Sequence, residues 1–114
     1  MSDFHILAMS GSLRKKSTNT AALRAAQELA PAGVRIEIVD IGNLPLYNED
    51  LRHDGSFPDV VNALREKVRA ADALLFACPE YNYSVTPALK NALDWLSRAP
   101  NAPSAGKAAG VIGA

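Results

Sequence analysis

Cysteine occurs once in the 114 residues, as Cys78, so no disulfide can form within the chain. Histidine occurs twice, at His5 and His53, far apart in sequence and without a Cys/His spacing suited to zinc. No metal site is expected, and each histidine reads as structural or exposed. No apolar run reaches the roughly 18 residues of a membrane span. The N-terminus has no basic segment leading into a long apolar stretch, so no signal peptide is expected and a cytoplasmic location is the default. Charge of one sign is also lacking. Twelve Lys and Arg balance twelve Asp and Glu, and only Arg14–Lys16 gathers cations. That gives no electrostatic footprint for nucleic acid, and Lys15 and Lys16 read as a solvated loop. The remaining composition, 48% hydrophobic and 21% charged, is that of a globular protein. One domain, residues 1–114, is expected, and about 65% of the unfolded surface can be buried at this size.

The pattern along the chain alternates strand and helix. Strands are expected at about Phe4–Met9, Val34–Val39, Ala73–Cys78 and Ala108–Ile112. Helices are expected at about Thr18–Ala30, Pro58–Ala71 and from Thr86 to before Pro100. In the first helix Ala22, Leu23, Ala26, Leu29 and Ala30 form the apolar face, and Pro31 and Gly33 end it. The third helix has an entry signal, Thr86 as N-cap with Pro87 at the first helical position. The second strand alternates Val34, Ile36 and Ile38 with Arg35 and Glu37, as an edge strand does. The third has no polar residue and reads as central. Alternating strands and helices imply a parallel sheet with right-handed crossovers. The strand order 2-1-3-4 follows, with a topological switch between the first and third strands, where ligands bind beyond the carboxyl ends. Strand four would be an exposed sheet edge.

The first polar motif is Ser10-Gly11-Ser12-Leu13-Arg14-Lys15-Lys16-Ser17-Thr18-Asn19-Thr20, between strand one and helix one. A turn running into a helix N-terminus offers backbone N–H groups and a dipole that favours negative charge. Ser12, Ser17, Thr18 and Asn19 add side-chain donors, and Arg14 adds a charge-assisted bond. The same residues also read as simple helix caps. Four hydroxyl or amide side chains together with Arg14 favour an anion site. Two glycine signatures are missing. Lys16 stands where a Walker loop needs its second glycine, and neither Leu13 nor Lys16 is the glycine of a dinucleotide fingerprint. A terminal phosphate, as in a mononucleotide, fits better than ATP hydrolysis or Rossmann-type NAD binding.

The second motif follows strand three: Pro79-Glu80-Tyr81-Asn82-Tyr83-Ser84-Val85-Thr86-Pro87, leading into Lys90-Asn91-Ala92-Leu93-Asp94-Trp95. Aromatic faces and backbone N–H groups beside a helix start can hold a flat heterocycle with a polar edge. Alone, this loop reads as an ordinary one with surface tyrosines. It gains weight from the phosphate loop across the switch point.

Together, Ser10–Arg14 with Ser17 and Asn19, Pro79–Asn82 and Lys90–Trp95 resemble the NADPH-dependent FMN reductase family. The branch most similar is the bacterial chromate/quinone reductases and related azoreductases of flavodoxin-like fold. Leu44-Pro45-Leu46-Tyr47-Asn48-Glu49-Asp50 resembles that family's loop after strand two, and the likeness covers essentially the whole chain. It implies a flavodoxin-like doubly wound parallel sheet. Ser12, Arg14, Ser17, Thr18 and Asn19 would hold the FMN phosphate. Pro79, Glu80, Tyr81, Asn82, Tyr83 and Ser84 would line the ribityl chain and ring. NADPH or NADH would be the electron donor. Quinones, azo compounds, free flavin or metal oxyanions such as chromate would be acceptors, in a ping-pong cycle. The flavin carries the chemistry, so no catalytic side chain is named. The resemblance also implies a homodimer or homotetramer; charge distribution and hydropathy point to no nucleic-acid or membrane partner. Two departures stand out. Lys16 replaces a glycine common in the family. The family also continues past Ile112-Gly113-Ala114 with a Ser/Gly-rich loop, a helix, a fifth strand and a last helix. Two other readings stay open. One is a flavodoxin-type electron carrier, which zero net charge and Arg14 disfavour. The other is a shortened chain acting as a flavin-binding or assembly module, or having no activity.

Overall fold

The computed structural model describes residues 3–53, 56–99 and 101–113. Strands β1 (Phe4–Ser10), β2 (Val34–Val39), β3 (Ala73–Ala77) and β4 (Ala108–Ile112) alternate with helices α1 (Thr18–Leu29), α2 (Asp59–Ala70) and α3 (Pro87–Leu96). A short 3₁₀ turn, Glu49–Leu51, interrupts the long connection between β2 and α2. All strand pairs are parallel, and the sheet order is β2-β1-β3-β4. The expected order is therefore the observed one. β1 and β3 are central, and β2 and β4 are the edges. Among the described residues no helix is long and apolar enough to cross a membrane.

Alternation along the central strands divides the core between two faces. Leu7, Met9, Leu74 and Phe76 point to one face and pack with Leu64 and Val68 of α2 and Leu89, Ala92 and Leu96 of α3. The half-buried Cys78 packs against that cluster as a small hydrophobe. Ala8 and Ala77 point to the other face, where Leu23 of α1 covers them. A satellite cluster of Phe57, Val61 and Trp95 supports the β2–α2 connection.

The α1 face corrects one expectation. Leu29 is not on the buried stripe but 82% exposed. At 3.6 residues per turn it lies about 120° round the helix from the fully buried Leu23. Ala26, Gln27 and Ala30 stay nearer the sheet, and Gln27 Nε2 donates to Ile36 O at 2.9 Å. α1 ends at Leu29 because Pro31 follows and Gly33 turns the chain at φ +85°, a conformation that suits glycine.

Candidate functional site

The site forms where two loops leave the carboxyl ends of β1 and β3. Gly11 N–H donates to Ala77 O at 2.8 Å, which holds the first loop against β3. Ser10 Oγ accepts from Ser12 N–H at 3.2 Å and from Thr20 Oγ1 at 2.9 Å. One hydroxyl thus joins strand end, loop and helix. Ser10 and Thr20 are not among the expected binding residues. Their signal is a pairing ten positions apart, which no local pattern reveals.

Ser17 is the N-cap of α1, and its side chain accepts from Thr20 N–H at 3.2 Å. The capping role and the anion role are compatible. A capping oxygen accepts, and its hydroxyl hydrogen remains available to donate. The helix start adds its dipole and its orphan N–H groups. Ser17 and Asn19 are buried, whereas Thr18 is exposed. Arg14 Nη2 donates to Lys16 O at 3.0 Å, which folds the guanidinium back over its own loop.

The second loop makes a tight turn. Tyr81 and Ser84 exchange both backbone hydrogen bonds at 3.0 Å, with Asn82 at φ 51° and Tyr83 at φ 61° between them. Two consecutive positive φ values make a type I′ hairpin turn. Asparagine tolerates that region, but tyrosine adopts it at a cost. The turn leaves Tyr83 96% exposed at its tip. Thr86 then caps α3, accepting from Leu89 N–H at 3.3 Å, and is fully buried. The two loops meet at their bases, where a Cβ built on Gly11 would lie 2.7 Å from Thr86 Oγ1.

Between the loops lies a cavity of about 190 Å³ lined by Ser12, Arg14, Ser17, Thr18, Asn19, Pro79 and Tyr81. These include all five residues expected at the phosphate and two of the six expected along the ribityl chain and ring. Glu80, Asn82, Tyr83 and Ser84 are exposed and do not line it. The cavity has hydroxyls, an amide, a guanidinium and a helix N-terminus on one side, and a proline and a tyrosine on the other. Donors without any opposing carboxylate suit a phosphate, and the aromatic side suits the start of an organic chain. The residues therefore fit the phosphate end of FMN. Among the described residues no cluster of three potential metal ligands occurs.

A parallel sheet in this order, with its polar loops beyond the two central strands, defines a flavodoxin-like α/β protein. The chain belongs to the NADPH-dependent FMN reductase family, whose sequence model matches residues 4–114. It is 55% identical over 112 residues to an NAD(P)H-dependent FMN reductase of Pseudomonas aeruginosa, covering 98% of this chain and 60% of that protein. It is 54% identical over 99 residues to an NADPH:quinone oxidoreductase of Arabidopsis thaliana, covering 84% and 50% of the two. Among solved structures it is similar to the flavoenzyme NAD(P)H:(acceptor) oxidoreductase FerB of Paracoccus denitrificans, with a TM-score of 0.86 and 40% identity. That match covers 96% of this chain and 59% of FerB. The chain thus spans between half and three-fifths of these relatives' length.

Proposed function

We propose that residues 1–114 form one flavodoxin-like domain that binds FMN and works in an NAD(P)H-dependent oxidoreductase. The observation that carries this reading is the convergence of Ser12, Arg14, Ser17, Thr18 and Asn19 with Pro79 and Tyr81 around one cavity. Ser12, Ser17 and Thr18 donate to the phosphate, the α1 dipole faces it, and Arg14 balances its charge. Tyr81 carries the cavity toward the ring end, and Glu80 and Asn82 to Ser84 on the I′ turn lie outside it. FMN held there would supply redox chemistry between NAD(P)H and an acceptor, in a ping-pong cycle. The chain's residues position and neutralise.

Quinones are the acceptor class this reading favours, since several relatives at 45% to 54% identity are named quinone reductases. Azo compounds, free flavin and oxyanions such as chromate remain within the same proposal. A homodimer or homotetramer is part of it too.

FMN titration of the purified chain, followed by flavin fluorescence, tests the reading. The Arg14→Ala variant should bind FMN about tenfold to a hundredfold more weakly, the scale of one charge-assisted hydrogen bond. Unchanged affinity would reject the phosphate assignment. Stopped-flow mixing of the FMN-loaded chain with NADPH separates reductase from electron carrier, because a carrier is not reduced directly.

A further inference from the structure

A second and larger cleft lies on the other side of the first loop, outside the carboxyl ends of β1 and β2. Its volume is about 600 Å³, and it shares Ser12 and Arg14 with the phosphate cavity. That volume falls within the range of small-molecule sites, about 300–1,000 Å³. Arg14 and Lys15 line it from the loop, Arg24 from the second turn of α1, and Asp40 from the end of β2. Three cations therefore face one carboxylate, in a chain whose net charge is zero. Among the described residues Lys15 and Arg24 have neither an ion-pair nor a hydrogen-bond partner, in contrast to Lys67, Arg69 and Lys90. Asp40 Oδ1 accepts from Gly42 N–H at 2.8 Å, and Oδ2 is left for a ligand. The remaining wall mixes apolar side chains with the hydroxyls of Ser10, Ser12 and Thr20 and the Asn43 amide. Leu13, 58% exposed, rests against Gly42 opposite Ile38.

We propose that this cleft receives the 2′-phosphoadenosine end of an NADPH donor. The proposal rests on the flavin reading above and adds to it where the donor is held. In βαβ dinucleotide units an acidic residue at the end of the second strand accepts from the 2′-hydroxyl of NAD, or an arginine nearby accommodates the 2′-phosphate of NADP; with a 2′-phosphate present, the carboxylate can accept only from the 3′-hydroxyl. Asp40 and Arg24 stand in those relative positions, although the glycine fingerprint that would place a pyrophosphate on α1 is absent. The helix start serves the flavin phosphate, so the two nucleotides occupy opposite sides of the Ser12–Lys15 loop. The exposed Leu13 and the half-buried Ile38 form an apolar slot for the adenine, whose burial would cover them further. With Arg14 given to the flavin phosphate, Lys15 and Arg24 against Asp40 still favour a ligand that carries a second phosphate over one that carries a single phosphate.

The experiment is calorimetric titration of the full chain with 2′,5′-ADP and with 5′-AMP, each with and without saturating FMN. The expected result is saturable 2′,5′-ADP binding in both states, at least about tenfold tighter than 5′-AMP and weaker at high salt. Arg24→Gln and Lys15→Gln should each weaken 2′,5′-ADP by about tenfold and leave FMN affinity unchanged, since both side chains are exposed and neither lines the smaller cavity. Equal affinity for 5′-AMP, displacement of 2′,5′-ADP by FMN, or an Arg24→Gln variant that binds as the parent does would each overturn the proposal. Failure of FMN itself to bind would reject the flavin reading alone, because the titration without FMN still reports on this cleft.

Discussion

At the scale of single residues, the contact between Gly11 and Thr86 controls how closely the two loops approach. Gly11 is buried, and any side chain there meets the hydroxyl that caps α3. The limit is space rather than a left-handed backbone. Gly11→Ala should therefore destabilise the chain by about 1–3 kcal/mol, the cost of overpacking a filled site, and should weaken FMN as the first loop shifts. Thr86→Ala removes both the cap and the obstructing oxygen, and alone should cost about 1 kcal/mol. Combined, the two changes should cost less than their sum, by about 1 kcal/mol, because the second relieves the first. Urea unfolding of the four proteins in that cycle measures the coupling; strict additivity would remove the steric account. The same scale shows which parts of the site could be read from sequence. Ser12 to Asn19 could be read, because strand, turn and capped helix follow one another locally. Ser10, Thr20 and Arg24 could not. The first two act through a hydroxyl pair that closes only on folding. Arg24 is an ordinary surface cation until the loop after β2 sets Asp40 opposite it.

At the scale of elements, the segment after β2 is held by side chains rather than by its own secondary structure. Asn91 Oδ1 accepts from Tyr47 N–H at 2.7 Å, and its Nδ2 donates to Pro45 O at 2.9 Å. Trp95 Nε1 donates to the same carbonyl at 2.8 Å, and Tyr47 packs edge-on against Trp95 with ring centres 4.7 Å apart. Buried Arg65 adds a bond from Nη1 to Trp95 O and lies 4.0 Å over the Phe57 ring. Its pKa is lowered from the usual arginine value, chiefly by burial and further by Arg69 and Arg52. Asn91 and Trp95 thus fasten a connection that begins at the ends of the strands. Asn91→Ala leaves the Tyr47 N–H without its acceptor and should cost about 1–3 kcal/mol. Hydrogen exchange should show faster exchange at Tyr47 while β1 and β3 stay protected; uniform loosening would instead indicate a core effect. The Asn91 and Trp95 bonds to Pro45 and Tyr47 span more than forty residues and leave no periodic trace, so the 3₁₀ turn and the course of the segment are hidden from sequence reasoning. The strands and helices are not hidden. Apolar period, Pro31, Pro87 and the caps at Ser17 and Thr86 act locally, and their bounds shift by only a residue or two.

At the scale of the whole molecule, the sheet edge at β2 is tied to both the helical layer and the central strand. β2 is secured by charge. Glu37 lies against Lys67 of α2 and within 3.1 Å of His5 Nε2 on β1, with Arg35 at 3.8 Å. The Lys67 hydrogen bond and charge, with a smaller share from His5, hold the Glu37 carboxyl below its usual range, and burial opposes them. A lowered folded-state pKa stabilises above the unfolded value of about 4.3, and that stabilisation is lost as pH falls through the folded value. Glu37→Gln should therefore cost about 1 kcal/mol at pH 7, and the difference from the parent should begin to shrink below about pH 4.3 and vanish once the pH has fallen below the folded-state value. A gap that persists there would show that Glu37 acts by packing.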